Sequence, residues 1–312
     1  MIDGILIIDK PIGLTSHDVV ARLRRILKTK RIGHTGTLDP FATGVLVMLV
    51  GKATRLAQFL DRDTKEYEAV IRFGFETDTG DRTGELRITN YELRDISVEE
   101  IEDVLKDFRG EIEQTPPMFS AKKVDGKKLY ELARKGVEIE RKPVKVTIYE
   151  LEMIDPQSTQ RNIEEEIKDQ RPRIEDHALR VACSAGTYVR TLAEDIGRKI
   201  GVGAHLAELR RTKAGKFDLS KVLTIEELEE IVAAAKLDDT LISMSEAVAH
   251  LPKVVLNAEE IKNTQNGKRL NFERIEIKND QAIRMIDQAE NLIAIGFYLK
   301  QEKYIQPKLV LI

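Results

Sequence analysis

Cysteine is almost missing from this chain. Cys183 stands alone among 312 residues, so no disulfide can form within the chain, and the expected setting is a reducing cytoplasm. No apolar stretch approaches the roughly 20 residues that a membrane helix needs. The opening, MIDGILIIDKPIGLTS, has no basic segment ahead of its short apolar run and does not read as a signal peptide. The five histidines are scattered and, beside one cysteine, offer no metal-ligand spacing; no zinc site is expected. An excess of charge is also lacking, with 50 Lys and Arg against 53 Asp and Glu. That balance neither suggests nor excludes a nucleic-acid partner, because such binding needs only a local basic surface. Internal repeats and low-complexity tracts are absent.

What is present is enough apolar residue, 42%, for a real core in one large domain and a small one. Charge is unevenly spread. Residues 1–60 carry nine basic and four acidic side chains, 119–147 again nine and four, and 184–217 seven and three. Residues 92–113 reverse this, with nine acids and three bases. Two readings stay open: ordinary surface charge, or three basic segments converging on one polyanion.

Local patterns give a mixed α/β order. DGILIIDKP reads as a strand ended by Pro11. TSHDVVARLRRILK reads as a helix with Ser16 as N-cap and Val19, Val20, Leu23, Ile26 and Leu27 at helical spacing. A loop over Gly33–Gly44 precedes the strand VLVMLV, and KEYEAVIRFGF is a further strand. SVEEIEDVLKDF and TIEELEEIVAAA are helices whose Ser97/Glu100 and Thr224/Glu227 pairs form capping boxes. KVTIYELEMI and HALRVACSAG are strands, TYVRTLAEDIGRKI is a helix, and the polar stretch 155–176 reads as an exposed connection. Beyond about residue 250, short β-like runs suggest a small all-β module of about 60 residues.

The stretch GHTGTLDPFATGVL, Gly33–Leu46, holds a lone carboxylate, Asp39, before Pro40. Three readings compete. A phosphate cradle is poorly supported, since GKAT at Gly51 lacks the P-loop spacing. A plain turn is the default for Asp-Pro among glycines. The third is a catalytic loop presenting one carboxylate. A lone buried carboxylate needs a cation, and Arg190 in CSAGTYVRTL is the candidate. No second carboxylate sits in either loop, which disfavours paired acid/base hydrolysis. Cys183 reads as a buried strand residue.

The sequence resembles the TruB family of tRNA pseudouridine synthases. DKPIGLTSHDVV, GHTGTLDPFATGVLVMLVGKATRL, KEYEAVIRFGFETDTGD, QTPPMFSAKKVDGKKLYELARKG, CSAGTYVRTLAEDIG and HLAELRRTKAGKF look like family blocks in family order, from residue 1 to about 220. The resemblance implies an α/β pseudouridine synthase fold with a mixed sheet. It implies a catalytic domain over 1–245, with 119–147 as a basic clamp for the tRNA arm. It also implies a PUA-like all-β domain over 250–312. The implied reaction converts a T-loop uridine of tRNA, conventionally nucleotide 55, to pseudouridine, without metal or cofactor. Asp39 matches the essential aspartate, Arg190 its arginine partner, and Tyr67 the tyrosine that stacks on the target base and is a candidate base at carbon 5. Tyr188 and Leu209 match residues lining the uracil pocket, and His34 the histidine wedged into the T-loop. No obligate protein partner is expected, and a monomer is. Two alternatives remain: a tRNA-folding protein with dispensable catalysis, and a guide-RNA-dependent relative.

Overall fold

The computed structural model describes residues 2–60, 64–87, 91, 94–124, 126–154, 176–272 and 277–312. The expected exposed connection at 155–176 lies, apart from Asp176, outside the described residues.

A nine-stranded mixed sheet forms the centre. Its strands are β1 (Gly4–Lys10), β2 (Ile32–Thr35), β3 (Thr43–Val50), β4 (Lys65–Phe73), β5 (Gly110–Gln114), β6 (Val144–Met153), β7 (Asp176–Cys183), β8 (Ala204–Ala214) and β9 (Phe217–Asp218). The order is β1-β3-β8-β4-β7-β6-β5, with β2 beside β3 and β9 beside β8. All neighbours are antiparallel except β3 and β8, which run parallel with Thr43 opposite Arg210 and Gly44 opposite Arg211. The apolar runs GILIIDK and TGVLVMLV are buried almost end to end, as strands covered on both faces must be.

Helices supply the cover. α1 (Ser16–Ile26) buries Val19, Val20 and Leu23, the residues its period marked out. α2 (Val98–Lys106) and α3 (Val189–Ile200) pack together over the other half of the sheet. Each apolar side chain so removed from water is worth roughly 1.5–3 kcal/mol. α4 (Ile225–Ala233) carries the expected Thr224/Glu227 capping box.

Three local readings are corrected. The N-cap of α1 is Thr15, whose side chain accepts from Asp18 N while the Asp18 carboxylate answers on Thr15 N. Ser16 is buried and serves another segment. Ser97 does cap α2, but Glu100 is drawn away to Arg94 by an ion pair, so the box is half formed. The segment Gly33–Gly44 is not all loop, because Ile32–Thr35 pairs with β3 and leaves 36–42 as the connection.

The C-terminal residues form a five-stranded curled sheet: β10 (Lys253–Val255), β11 (Leu270–Asn271), β12 (Gln281–Ile286), β13 (Leu292–Leu299) and β14 (Tyr304–Val310), in the order β10-β12-β13-β14-β11. A helix, α5 (Ala258–Gln265), packs beside it. One apolar cluster joins Ile286, Leu292, Ile295, Leu309 and Leu311 of this sheet to Ile5, Ile7, Val45, Val47 and Leu49 of the central one. No helix among the described residues is long and apolar enough to cross a membrane.

Candidate active site

A cleft of about 250 Å³ opens where the 36–42 connection, the start of β4, the segment after β7, the second half of β8 and the start of α3 meet. Asp39, Tyr67, Tyr188, Arg190 and Leu209 all line it, together with Lys65 and Arg211. His34 does not. It sits in β2 opposite Met48, its ring edge-on to His17 at 5.4 Å.

The 36–42 connection is pinned at nearly every residue. Gly36 O accepts from Arg211 Nη2 at 2.8 Å. The Ser16 hydroxyl accepts from Leu38 N at 2.9 Å and donates back to Leu38 O. Asp39 O accepts from Ala42 N, closing a turn. Pro40 O accepts from Gly13 N at 2.8 Å and from the buried Lys10 ammonium at 3.2 Å. Leu38, Phe41 and Ala42 meanwhile anchor in the same apolar cluster as Tyr67 and Leu209. Asp39 thus projects from a turn held on both sides, and a held carboxylate keeps its direction. Gly44, where the connection rejoins the sheet, has φ +96°, and a Cβ there would lie 2.2 Å from Arg211 O. Only glycine allows this approach of β3 to β8.

Arg190 meets Asp39 side-on, Nε to Oδ2 at 2.9 Å and Nη2 to Oδ1 at 3.3 Å. Its other donors serve Phe119 O at 2.7 Å and Thr79 O at 2.8 Å, and Nη1 faces Asp81 Oδ2 at 3.7 Å. The guanidinium, 5% exposed, therefore ties together three separate segments. Asp81 is itself fixed by Thr79 Oγ1, Thr83 N and Thr83 Oγ1. Arg190 stands at the start of α3, whose N-cap residue Tyr188 offers no side-chain cap. Gln114 fixes the backbone of that residue instead, accepting from Tyr188 N at 3.1 Å and donating to Tyr188 O.

Electrostatics at the cleft are contested. Burial pushes the Asp39 carboxyl up from its ordinary value, while Arg190 opposes that shift and Asp81 adds to it. The side chain keeps 35% exposure, all that the cleft admits. Burial also raises the phenols of Tyr67 and Tyr188; the Arg211 guanidinium pulls Tyr67 back, and Arg190 opposes at Tyr188. Lys10 is lowered to about 8, chiefly by burial, against the pull of Asp39. Cys183 is buried and pushed up to about 11, an inert thiol as its strand position suggested.

Sequence reasoning missed Arg211, Asp81, Lys10, Ser16 and Gln114. All five lie inside the quoted blocks, Lys10 and Ser16 in DKPIGLTSHDVV, Asp81 in KEYEAVIRFGFETDTGD, Gln114 in QTPPMFSAKKVDGKKLYELARKG and Arg211 in HLAELRRTKAGKF, so a signal existed for each. The three basic segments also read differently in three dimensions. Of the seven basic residues in 184–217, Arg190, Arg198, Lys199, Arg210 and Lys213 are ion-paired, with Asp39, Glu76, Asp107, Asp9 and Glu66. That segment is largely neutralised within the protein, whereas Lys123 and Lys127 of 119–147 are exposed.

A mixed sheet that presents an arginine-paired carboxylate in a cleft with two tyrosines is one class of candidate active site. Comparisons with known proteins sharpen that class. Residues 24–189 match the TruB family pseudouridylate synthase N-terminal domain, and residues 190–261 the tRNA pseudouridylate synthase B C-terminal domain. A protein of Solibacter usitatus named tRNA pseudouridine synthase B is 41% identical over 297 residues, covering 94% of this chain and 95% of that protein. One of the same name from Geobacillus thermodenitrificans is 46% identical over 268 residues, covering 86% and 85%. Among solved structures, a Cbf5-Nop10-Gar1 complex superposes with TM-score 0.72 at 28% identity, covering 99% of this chain and 85% of that one. An H/ACA ribonucleoprotein bound to a substrate RNA containing 2′-deoxyuridine superposes with TM-score 0.71 at 27% identity, with the same coverage. The chain belongs to the TruB family of pseudouridine synthases and is an isomerase.

Proposed function

We propose that this protein converts a T-loop uridine of tRNA, nucleotide 55, to pseudouridine, with Asp39 as the reacting carboxylate. The observation that carries the reading is the side-on Asp39–Arg190 pair at the base of the cleft. Burial disfavours the charged form of Asp39, while Arg190 opposes that shift and holds both carboxylate oxygens. Tyr67 and Tyr188 offer the faces and Leu209 the apolar wall on which an extruded base rests. A base within a folded loop must leave its stack before its glycosidic bond is reachable, and each stacking contact regained is worth about 1–3 kcal/mol. His34, outside the cleft on the strand that leads into the Asp39 turn, is placed to fill the gap the base leaves.

Residues 1–245 act as the catalytic domain, 119–147 as the clamp on the tRNA arm, and 250–312 as the PUA-like RNA-binding part. The protein works in the cytoplasm as a monomer without guide RNA. The relatives named tRNA pseudouridine synthase B, at 41–46% identity, are nearer in sequence than the H/ACA ribonucleoprotein and the Cbf5-Nop10-Gar1 complex at 27–28%, which supports a tRNA substrate. The test maps pseudouridine in a T-arm transcript incubated with this protein alone. Conversion by the wild type, and its loss by at least about 10³-fold in Asp39→Asn, is the expected result. Conversion by Asp39→Asn at the wild-type rate would overturn the catalytic assignment, and no conversion by the wild type would overturn the stand-alone reading.

A further inference from the structure

Arg211 is among the largest fully buried side chains of the molecule, 1% exposed. Yet among the described residues it meets no carboxylate. Its Nε donates to Val45 O at 2.7 Å and its Nη2 to Gly36 O at 2.8 Å, both neutral acceptors. It also bonds the Tyr67 phenol, and the buried Lys10 is a second cationic group close enough to feel it. The neighbouring arginine is built the opposite way. Arg210, next in sequence and on the other face of β8, is neutralised by a two-point contact with Asp9 at 3.0 and 2.7 Å. Burying a cation without a counter-charge is costly, and here the cost is sustained at a wall of the cleft.

The reaction proposed above generates an anion in that cleft. When the C1′–N1 bond breaks, its electron pair stays on N1, and the detached uracil carries a negative charge spread to its carbonyl oxygens. C1′ is taken up by the Asp39 carboxylate, or a ribose proton passes to it. Carbon 5 then bonds to C1′ as the Asp39 oxygen leaves it, or as the ribose proton returns from Asp39. Carbon 5 gives up its proton and N1 gains one, so substrate and product hold the same atoms and Asp39 is regenerated. Something must bear the charge on the departed base. Arg190 has committed its donors to Asp39, Phe119 O and Thr79 O, with Asp81 facing the last. A guanidinium has five N–H donors; Arg211 spends two on carbonyls and bonds the Tyr67 phenol besides. Its Nη1 packs against Gly36, 3.1 Å from the position a Cβ there would occupy, so a residue with a side chain would crowd that end of the guanidinium.

We propose that Arg211 is a catalytic residue that stabilises the negative charge on the detached uracil, acting beside Tyr67 in the cleft that also holds the Asp39–Arg190 pair. This rests on the isomerase reading, and the experiment separates the two. Single-turnover rates are measured for full-length protein on T-arm RNA carrying uridine or 4-thiouridine at the target, sulfur making the departing base a more stable anion. The wild type must form pseudouridine on the uridine RNA, failing which the isomerase reading itself falls. Arg211→Gln should then lose about 100-fold on uridine, the scale of removing one preorganised donor, but less than about 10-fold on 4-thiouridine, with RNA affinity unchanged. Equal losses on both substrates, or no loss on uridine, would overturn the proposal and leave Arg211 as a strut for the 36–42 connection. If Arg211→Gln melts out, Arg211→Lys decides. It should widen the rate gap between the two substrates relative to wild type, and an unchanged gap would overturn the proposal.

Discussion

The C-terminal sheet buries Ile283, Met285, Ile293, Ile295 and Ile305, and its α5 adds Thr264; around the cleft the buried side chains include Lys10, Lys65, Asp81, Arg190 and Arg211. The charged pairs of the C-terminal region, such as Lys253–Glu290 and Arg269–Glu302, lie at the surface, where each contributes little. Burial is nearly pure gain in one region. In the other it is a cost that backbone carbonyls and a few carboxylates offset. Replacing buried ion pairs by apolar side chains of similar volume is often neutral or stabilising, so folding alone does not account for charges gathered at the cleft.

The sharpest way to break that comparison is to remove one cation. Arg190→Met leaves Asp39 and Asp81 facing each other without their shared counter-charge. It should lower the unfolding free energy by about 3–5 kcal/mol and suppress pseudouridine formation together, read by denaturant melts and product mapping on the same preparation. A folded, stable Arg190→Met protein would show that the site is less strained than its burial implies. In the C-terminal sheet, Ile295→Ala removes a fully buried side chain from the cluster shared with β1 and β3. A loss of about 2–5 kcal/mol is expected, with the rate below the melting temperature unchanged. Because that cluster spans both sheets, calorimetry should record one transition; two would mean that the sheets melt independently.

Lys10 offers a subtler probe. Its folded pKa of about 8 lies below the ordinary lysine value of 10.5. Between those two values the unfolded chain holds the proton and the folded chain does not, so this group's contribution to stability rises with pH over the window. Catalysis moves the other way. Above about pH 8 the neutral amine has two N–H groups for the three carbonyls of Pro11, Leu14 and Pro40, and the tether on the Asp39 turn slackens. The wild-type rate should decline from pH 8 to 10, and Lys10→Met should be slower and flat over that range; identical profiles would contradict the tether. The smallest effect belongs to Cys183. With its thiol pushed up to about 11, native protein at pH 8.5 should resist alkylation and unfolded protein react at once.

How much of this was legible depended on distance along the chain. α1, α4 and the strands announced themselves because period and capping involve residues three or four apart. Even so, Thr15 displaced Ser16 as the cap of α1, since Ser16 is held by Leu38, 22 residues away. The pairing of Arg190 with Asp39 was argued from the need of a buried carboxylate for a cation, and the family blocks gave Tyr67, Tyr188 and Leu209. His34 was legible as a family residue, but its position outside the cleft was not. The basic count in 184–217 suggested exposed surface, and the partner acids are scattered from Asp9 to Asp107.

Composition and period determined by themselves a mixed α/β chain with a β-rich end, because those follow from residue type and near neighbours. Asp39 as the loop acid and Arg190 as its candidate partner were marked by the family blocks. Tertiary structure alone decided which of two adjacent arginines, Arg210 or Arg211, meets an acid and which is buried against carbonyls at the cleft. Side chains on a strand alternate between faces, so neighbours in sequence enter different surroundings. Which surroundings those are depends on strands that the sequence places as much as two hundred residues away.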